Sequence, residues 1–220
     1  MKKMKARDRL TKDSSVLDEI SVELPDTIEP GLTLEDITYL DDIKKRELWL
    51  NGEIDDALST AIIKQIFNYN REDYQKSKEA RQPIKLFINS PGGYVLPGLN
   101  IIDAIRLSRT PVWIINLGRA YSMAFHIAIN GDKRFSLPTA SYLIHDGAEG
   151  GYDSSSKFRD RLEFNDKLEL KTRKNLLENT QITEDLYDSN YRKEWYVLPD
   201  EALKLGILDC ILEDFDMIID

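Results

Sequence analysis

Three short apolar runs, each closed by turn-forming residues and each separated from the next by a helical repeat, constrain this chain more than any other feature. They are "RELWLNGEI" (46–54), "PIKLFINSPGG" (83–93) and "PVWIINLG" (111–118). Short apolar or alternating runs that stop at Asn, Gly or Pro read as strands ending in turns. Between the first two, Leu58, Ile62 and Ile66 recur at every fourth position behind "IDDALST", whose Asp55 and Asp56 suit a helix start. Between the second and third, Leu99, Ile102 and Ile105 repeat the helical spacing. Strand and helix alternating through short links predict an α/β fold on a largely parallel sheet, covered on both faces. The first helix is expected to trail into "NYNREDYQKSKEARQ" (68–82), a polar extension with no evident core face.

Further along, "YSMAFHIAING" (121–131) reads as a helix ended by Gly131 and "ASYLIHDG" (140–147) as a strand. Residues 154–179 are densely charged, with Phe158, Leu162, Phe164, Leu168, Leu170, Leu176 and Leu177 as the apolar positions. That pattern predicts a long, projecting helix. Its alternatives are a surface helix folded flat on the domain and an arm that packs against another subunit. "EWYVLPDEALKLGILDCIL" (194–212) gives a strand, a short helix from Pro199 with Asp200 and Glu201 at its start, and a last apolar strand.

With Lys+Arg 30 against Asp+Glu 39, the net charge of −9 lacks the electrostatic footprint of a nucleic-acid or anionic-membrane binder. One cysteine, Cys210, cannot close an internal disulfide and reads as an inert core thiol. No apolar stretch approaches the ~20 residues that span a bilayer. A cytoplasmic setting is the expectation. Residues 1–31 open with a basic cluster but lack the apolar run of a secretory signal. They are expected to form a flexible arm or pro-segment, followed by a single domain over 32–220.

Acyl transfer needs a nucleophile, a base, a group that orients the base, and backbone donors for the developing oxyanion. "NSPGG" (89–93) falls at a strand-to-helix turn, where paired glycines let backbone N–H groups approach a ligand. In "INLGRAYSMAFHIAING" (115–131), Ser122 follows a strand and precedes a helix, so that its N–H and that of Met123 belong to the free donors of a helix start. Viewed alone, such a serine is more often an N-cap. Only two histidines exist. His126 lies one helical turn after Ser122 but between Phe125 and Ile127, and reads as a packing histidine. His145 closes the strand "SYLIH", the edge where α/β sheets place catalytic side chains, and is the better base. Among 39 acids, pattern alone selects no orienting carboxylate.

"FINSPGGYVLPGLNIIDAI", "GRAYSMAFHIAINGDKRFSLPTASYLIH" and "PDEALKLGILD" together resemble ClpP, the proteolytic subunit family of the ATP-dependent Clp proteases, over residues 46–212. The resemblance implies a crotonase-like α/β fold with a projecting handle helix. It matches the family nucleophile to Ser122, the general base to His145, and the oxyanion donors to the N–H groups of Gly93 and Met123. Counting back from "LGILD" without gaps, the family's aspartate falls on Glu194. It further implies seven-membered rings stacked through the 154–179 helix into a tetradecamer, unfolded polypeptide as substrate, a Clp-type ATPase as partner, and no metal or organic cofactor. Alternatives are a non-catalytic or regulatory ring subunit with an altered triad and a crotonase-type acyl-CoA enzyme, against which the S-M…I-H pattern argues.

The chain departs from the family at five places, one of them an extension of the helix between the first strands around "NREDYQKSKEAR". Glu194 is one methylene longer than aspartate. Tyr121 stands before the serine where the family has a small residue, and is expected to crowd the cleft or reshape its pocket. Asp146 and Gly147 replace the Q-P after the histidine. The segment before residue 32 matches the family's axial-loop sequence poorly, which bears on the ATPase partner.

Overall fold

A computed structural model of the chain describes residues 33–147 and 155–219; the arm expected over 1–31 lies outside them. The described residues fall into two compact units, divided after Leu40. In the first, Thr33 and Asp36 cap the start of α1 (Leu34–Lys44) reciprocally. Thr33 Oγ1 accepts the Asp36 N–H at 3.1 Å, and the Asp36 carboxylate accepts the Thr33 N–H at 2.8 Å.

The second unit follows the predicted alternation. β1 (Glu47–Ile54), α2 (Asp56–Glu72), β2 (Ile84–Gly93), α3 (Val95–Leu107), β3 (Val112–Tyr121) and α4 (Met123–Ala128) come first. β4 (Lys133–Ser136), β5 (Ser141–Ile144), α5 (Ser155–Asn179), α6 (Glu184–Asn190), β6 (Trp195–Val197), α7 (Pro199–Lys204) and β7 (Cys210–Ile211) complete it. The sheet runs β1-β2-β3-β4-β7, with β5 added on β3 and β6 on β5. All pairings are parallel except β5 with β6.

β3 does double duty along its length. Residues 113–116 pair with β4, and residues 119–121 pair with β5. The carboxyl ends of β2, β3 and β5 therefore lie on one edge of the sheet, and each hands its chain to the site described below.

Burial explains the helices. Ile62, Ile66 and Tyr69 of α2, and Ile101, Ile102 and Ile105 of α3, are buried in one cluster with Ile84, Leu86 and Ile88 of β2. Fully burying each such side chain stabilises by roughly 1.5–3 kcal/mol. Alternate residues of the strands, Phe87 and Ile115, face a smaller cluster with Phe135, Leu212 and Ile218. Among the described residues the α-helices join only the larger cluster, so the expected helical layer on both faces is corrected to one. Cys210 packs half-buried against the smaller cluster.

Other expectations are corrected locally. α2 ends at Glu72 instead of trailing through 82, and the polar stretch does have a core side: Tyr69 and Asp73 are buried. Asp73 is held there by Arg46, a partner 27 positions away that no local pattern announces. The helix expected over 121–131 shrinks to Met123–Ala128. Ser122 is not helical, and Asn130 donates its amide to the His126 carbonyl at 2.6 Å, ending the last turn. α1, β4 and α6 had no counterpart in the sequence reading. α1 buries no residue, β4 is four residues long, and α6 is seven residues long behind the Thr183 N-cap. α5 takes up nearly all of the long helix expected over 154–179. Among the described residues no helix is long and apolar enough to cross a membrane.

Candidate active site

Ser122 sits at the turn from β3 into α4 with φ 54° and ψ −124°. Among the described non-glycine residues only Arg46 and Ser122 have positive φ. Such a backbone costs on the order of 1–3 kcal/mol and persists only where its surroundings hold it. Here they do: the Ser122 N–H donates to the Leu143 carbonyl at 2.9 Å, and its own carbonyl accepts the Phe125 N–H at 3.0 Å. The side chain makes no capping hydrogen bond. Ser122 is the N-cap residue by its backbone alone, and Oγ is left without a hydrogen-bond partner among the described residues.

The glycine turn comes against this serine from β2. Ser90 Oγ donates to the Gly52 carbonyl at 2.5 Å and accepts the Gly92 N–H at 3.1 Å, bending the chain before the paired glycines. Gly92 (φ +101°) lies so close that a Cβ would stand 3.2 Å from the Met123 nitrogen, and a Cβ on Gly93 (φ +152°) would run into the Ile54 backbone. The turn and the start of α4 thus share one small space. The N–H of Met123, first residue of its helix, has no acceptor within that helix.

His145 and Glu194 meet through strand register. β5 and β6 pair Tyr142 with Val197, Leu143 with Tyr196 and Ile144 with Trp195. One step beyond the last pair places His145 opposite Glu194, on one face of the sheet. Their side chains join, His145 Nδ1 to Glu194 Oε1, at 2.9 Å. With the carboxylate ionised, Nδ1 carries the proton and Nε2 is an acceptor. The second carboxylate oxygen, Oε2, accepts the Tyr196 hydroxyl at 3.3 Å. The Asp146 N–H donates to the Tyr191 carbonyl at 3.0 Å, tying the segment after His145 to the end of α6.

A cleft of about 780 Å³ opens on this edge of the sheet, with Gly93, Ser122, Met123 and His145 in its lining. Phe158, Phe164 and Leu168 of α5 supply further lining. Glu194 is not in the lining and stands behind the histidine. Tyr121 is not in it either, so it does not crowd the cleft. Its hydroxyl pairs with Ser141 Oγ at 2.8 Å and its ring meets Tyr196 edge-on.

His126 also lines the cleft, half-buried, with Nδ1 buried and unpartnered among the described residues. Burial, with His145 nearby, pushes its pKa down to about 4, so it is neutral near pH 7. Its ring packs edge-on against Phe125 at 5.3 Å, in keeping with a packing histidine.

The sequence reading missed Tyr196 and Ser90. Tyr196 was legible as the residue two positions after Glu194 on one strand face, but only the strand pairing shows which carboxylate oxygen it meets.

The sequence model described as Clp protease matches residues 35–215. The chain belongs to the Clp protease family. The ATP-dependent Clp protease proteolytic subunit of Streptococcus mutans is 34% identical over 179 residues, covering 80% of this chain and 88% of that protein. Subunits of the same description from Streptococcus agalactiae and Streptococcus uberis are each 33% identical, over 177 and 181 residues. They cover 78% and 80% of this chain and 87% and 88% of their own. This Clp-family chain is a peptidase with the α/β fold of ClpP.

Proposed function

We propose that this chain is a serine endopeptidase subunit of Clp type, with Ser122 as nucleophile, His145 as general base, Glu194 as the acid that orients it, and the Gly93 and Met123 N–H groups as oxyanion donors. The observation that carries the reading is the arrival of the strained Ser122, the glycine turn and the Glu194-bound His145 at one cleft. Ser122 Oγ attacks the scissile carbonyl while His145 Nε2 takes its proton. Glu194 stabilises the imidazolium that forms, and the two N–H groups hold the developing oxyanion. The tetrahedral intermediate collapses as His145 returns the proton to the leaving amine. A water, deprotonated by the same imidazole, then releases the acyl group. Losing one oxyanion donor costs about 10²–10³ in rate in enzymes of this chemistry. Ser122 Oγ makes no hydrogen bond to His145 in this structure. Such contacts often form only with substrate bound.

The same reading places the subunit in stacked seven-membered rings joined through α5, enclosing the sites in a chamber fed with unfolded polypeptide by a Clp-type ATPase in the cytoplasm. It needs no metal or organic cofactor, because each step is a proton transfer or an acyl transfer between protein groups and water.

Labelling by a fluorophosphonate, read by intact mass, tests the chemistry. The wild type and His126→Ala should acquire one label, whereas Ser122→Ala and His145→Ala should acquire none and Glu194→Ala should label far more slowly. A wild type that takes no label in its assembled form would make the chain a ring subunit without activity of its own.

A further inference from the structure

We propose that Tyr196 is a positioning residue that fixes the Glu194 carboxylate on His145, and that Tyr121 holds Tyr196 in place for that task. The inference rests on the Ser122–His145–Glu194 reading given above. It joins two departures from the family pattern, Glu194 for aspartate and Tyr121 for a small residue, into one arrangement.

The longer acid creates the need. Glutamate has one more rotatable bond than aspartate, and Glu194 is 57% exposed, so water competes for both of its oxygens. A single contact at Oε1 would leave the carboxylate free to turn about it. The Tyr196 hydroxyl supplies a second contact, donating to Oε2 at 3.3 Å while Oε1 stays 2.9 Å from His145 Nδ1. Two anchors on different oxygens define the plane of the group.

Sheet register makes the second anchor possible. Glu194 and Tyr196 are two positions apart along the same strand direction and share a face. Tyr196 lies opposite Leu143 on β5, and Leu143 lies opposite Tyr121 on β3. Tyr121, Leu143 and Tyr196 therefore form one row across three strands, two register steps from His145 and Glu194 and on the same face, with the Ile144–Trp195 pair between them on the other face. Tyr196 is 58% exposed and would sample several rotamers alone. The Tyr121 ring meets it edge-on, with centroids 5.8 Å apart and planes at 79°, the favoured geometry for an aromatic pair. Tyr121 is itself fixed at its far end by the 2.8 Å contact with Ser141 Oγ. Desolvation and the neighbouring Glu194 carboxylate push the Tyr196 phenol up, which keeps it a donor. A small residue at 121 would leave this ring without its neighbour.

The test is the rate of fluorophosphonate labelling of Ser122 in the assembled protein. The variants are Tyr196→Phe, Tyr121→Ala, Glu194→Ala, and Tyr196→Phe combined with Glu194→Ala. Removing only the Tyr196 hydroxyl should slow labelling about 3- to 10-fold, the value of one hydrogen bond. Tyr121→Ala should do the same to a smaller extent. In the Glu194→Ala background Tyr196→Phe should add nothing, since residues that act through one another are not additive. If Glu194→Ala slows labelling while Tyr196→Phe matches the wild type in rate, the positioning role is overturned. Losses that multiply in the double variant overturn it as well. If Glu194→Ala itself labels like the wild type, the triad reading fails first and takes this inference with it.

Discussion

A Cβ built on Gly92 would stand 2.7 Å from the Ser122 Cβ and 2.8 Å from the Tyr121 carbonyl oxygen, at a φ of +101°. Gly52 has a similar φ of +91° but nothing within 4 Å. The pair separates backbone strain from close approach. Gly52→Ala should cost about 1 kcal/mol in a urea titration and leave Ser122 labelling intact. Gly92→Ala should cost more and slow labelling by about 10² or beyond, because the serine or the Met123 donor must shift. His126 supplies a pH signature at the same scale. Its pKa falls to about 4 in the fold against the ordinary 6.5, so between those values the unfolded chain binds a proton that the folded one does not. Stability should therefore climb as pH rises from 4 to 6.5 and level off above it. The climb from this one group is at most about 3 kcal/mol. Urea midpoints across that range for wild type and His126→Phe check it: the variant should lose this part of the slope.

Among the elements, the end of α2 depends on a buried ion cluster. Arg46 grips Asp73 through Nη1 at 2.5 Å and Nη2 at 2.9 Å, and Lys76 and Thr110 Oγ1 reach the same carboxylate at 2.8 Å and 3.0 Å. The Arg46 guanidinium beside Asp73 holds its carboxyl well below the usual carboxylate range. Its contribution is thus complete above that range and lost as pH falls below it. Asp73→Ala leaves Arg46 buried without its main partner and should cost about 3–5 kcal/mol at pH 7, with a smaller loss below the carboxylate range. Thermal or urea unfolding at both pH values decides. The element scale also shows where the sequence was legible. β1, β2, β3, α2 and α3 follow apolar spacing and turn residues, which are local properties. α2 was drawn too long because its true stop is Asp73, whose burial depends on Arg46 and Thr110 from elsewhere in the chain.

The whole molecule brings one further expectation, which belongs to the proposed ring assembly. α5 is mostly polar, yet Leu170 on it is 67% exposed. If α5 stacks the rings, Leu170→Asp should convert the tetradecamer into single rings in sedimentation velocity, leaving the unfolding free energy from urea titration within about 0.5 kcal/mol of wild type. Ser122, His145, Gly93 and Met123 were readable because motif residues stand at strand ends, and parallel strands carry their carboxyl ends to one edge. Glu194 was placed by counting along the chain, and the register between β5 and β6 puts it opposite His145. What the sequence by itself determined is the strand–helix alternation from β1 to β3, the motif residues Gly93, Ser122, Met123 and His145 that reach the cleft, and the family to which they belong. Those follow from short-range spacing and from residue type. Only the tertiary structure decided that Ser122 takes a left-handed backbone and keeps its Oγ out of the helix cap, that Tyr121 turns away from the cleft, and that Tyr196 meets Glu194. Each depends on which strand lies beside which and in what register, and that is set by burial and hydrogen bonding between segments far apart in the chain.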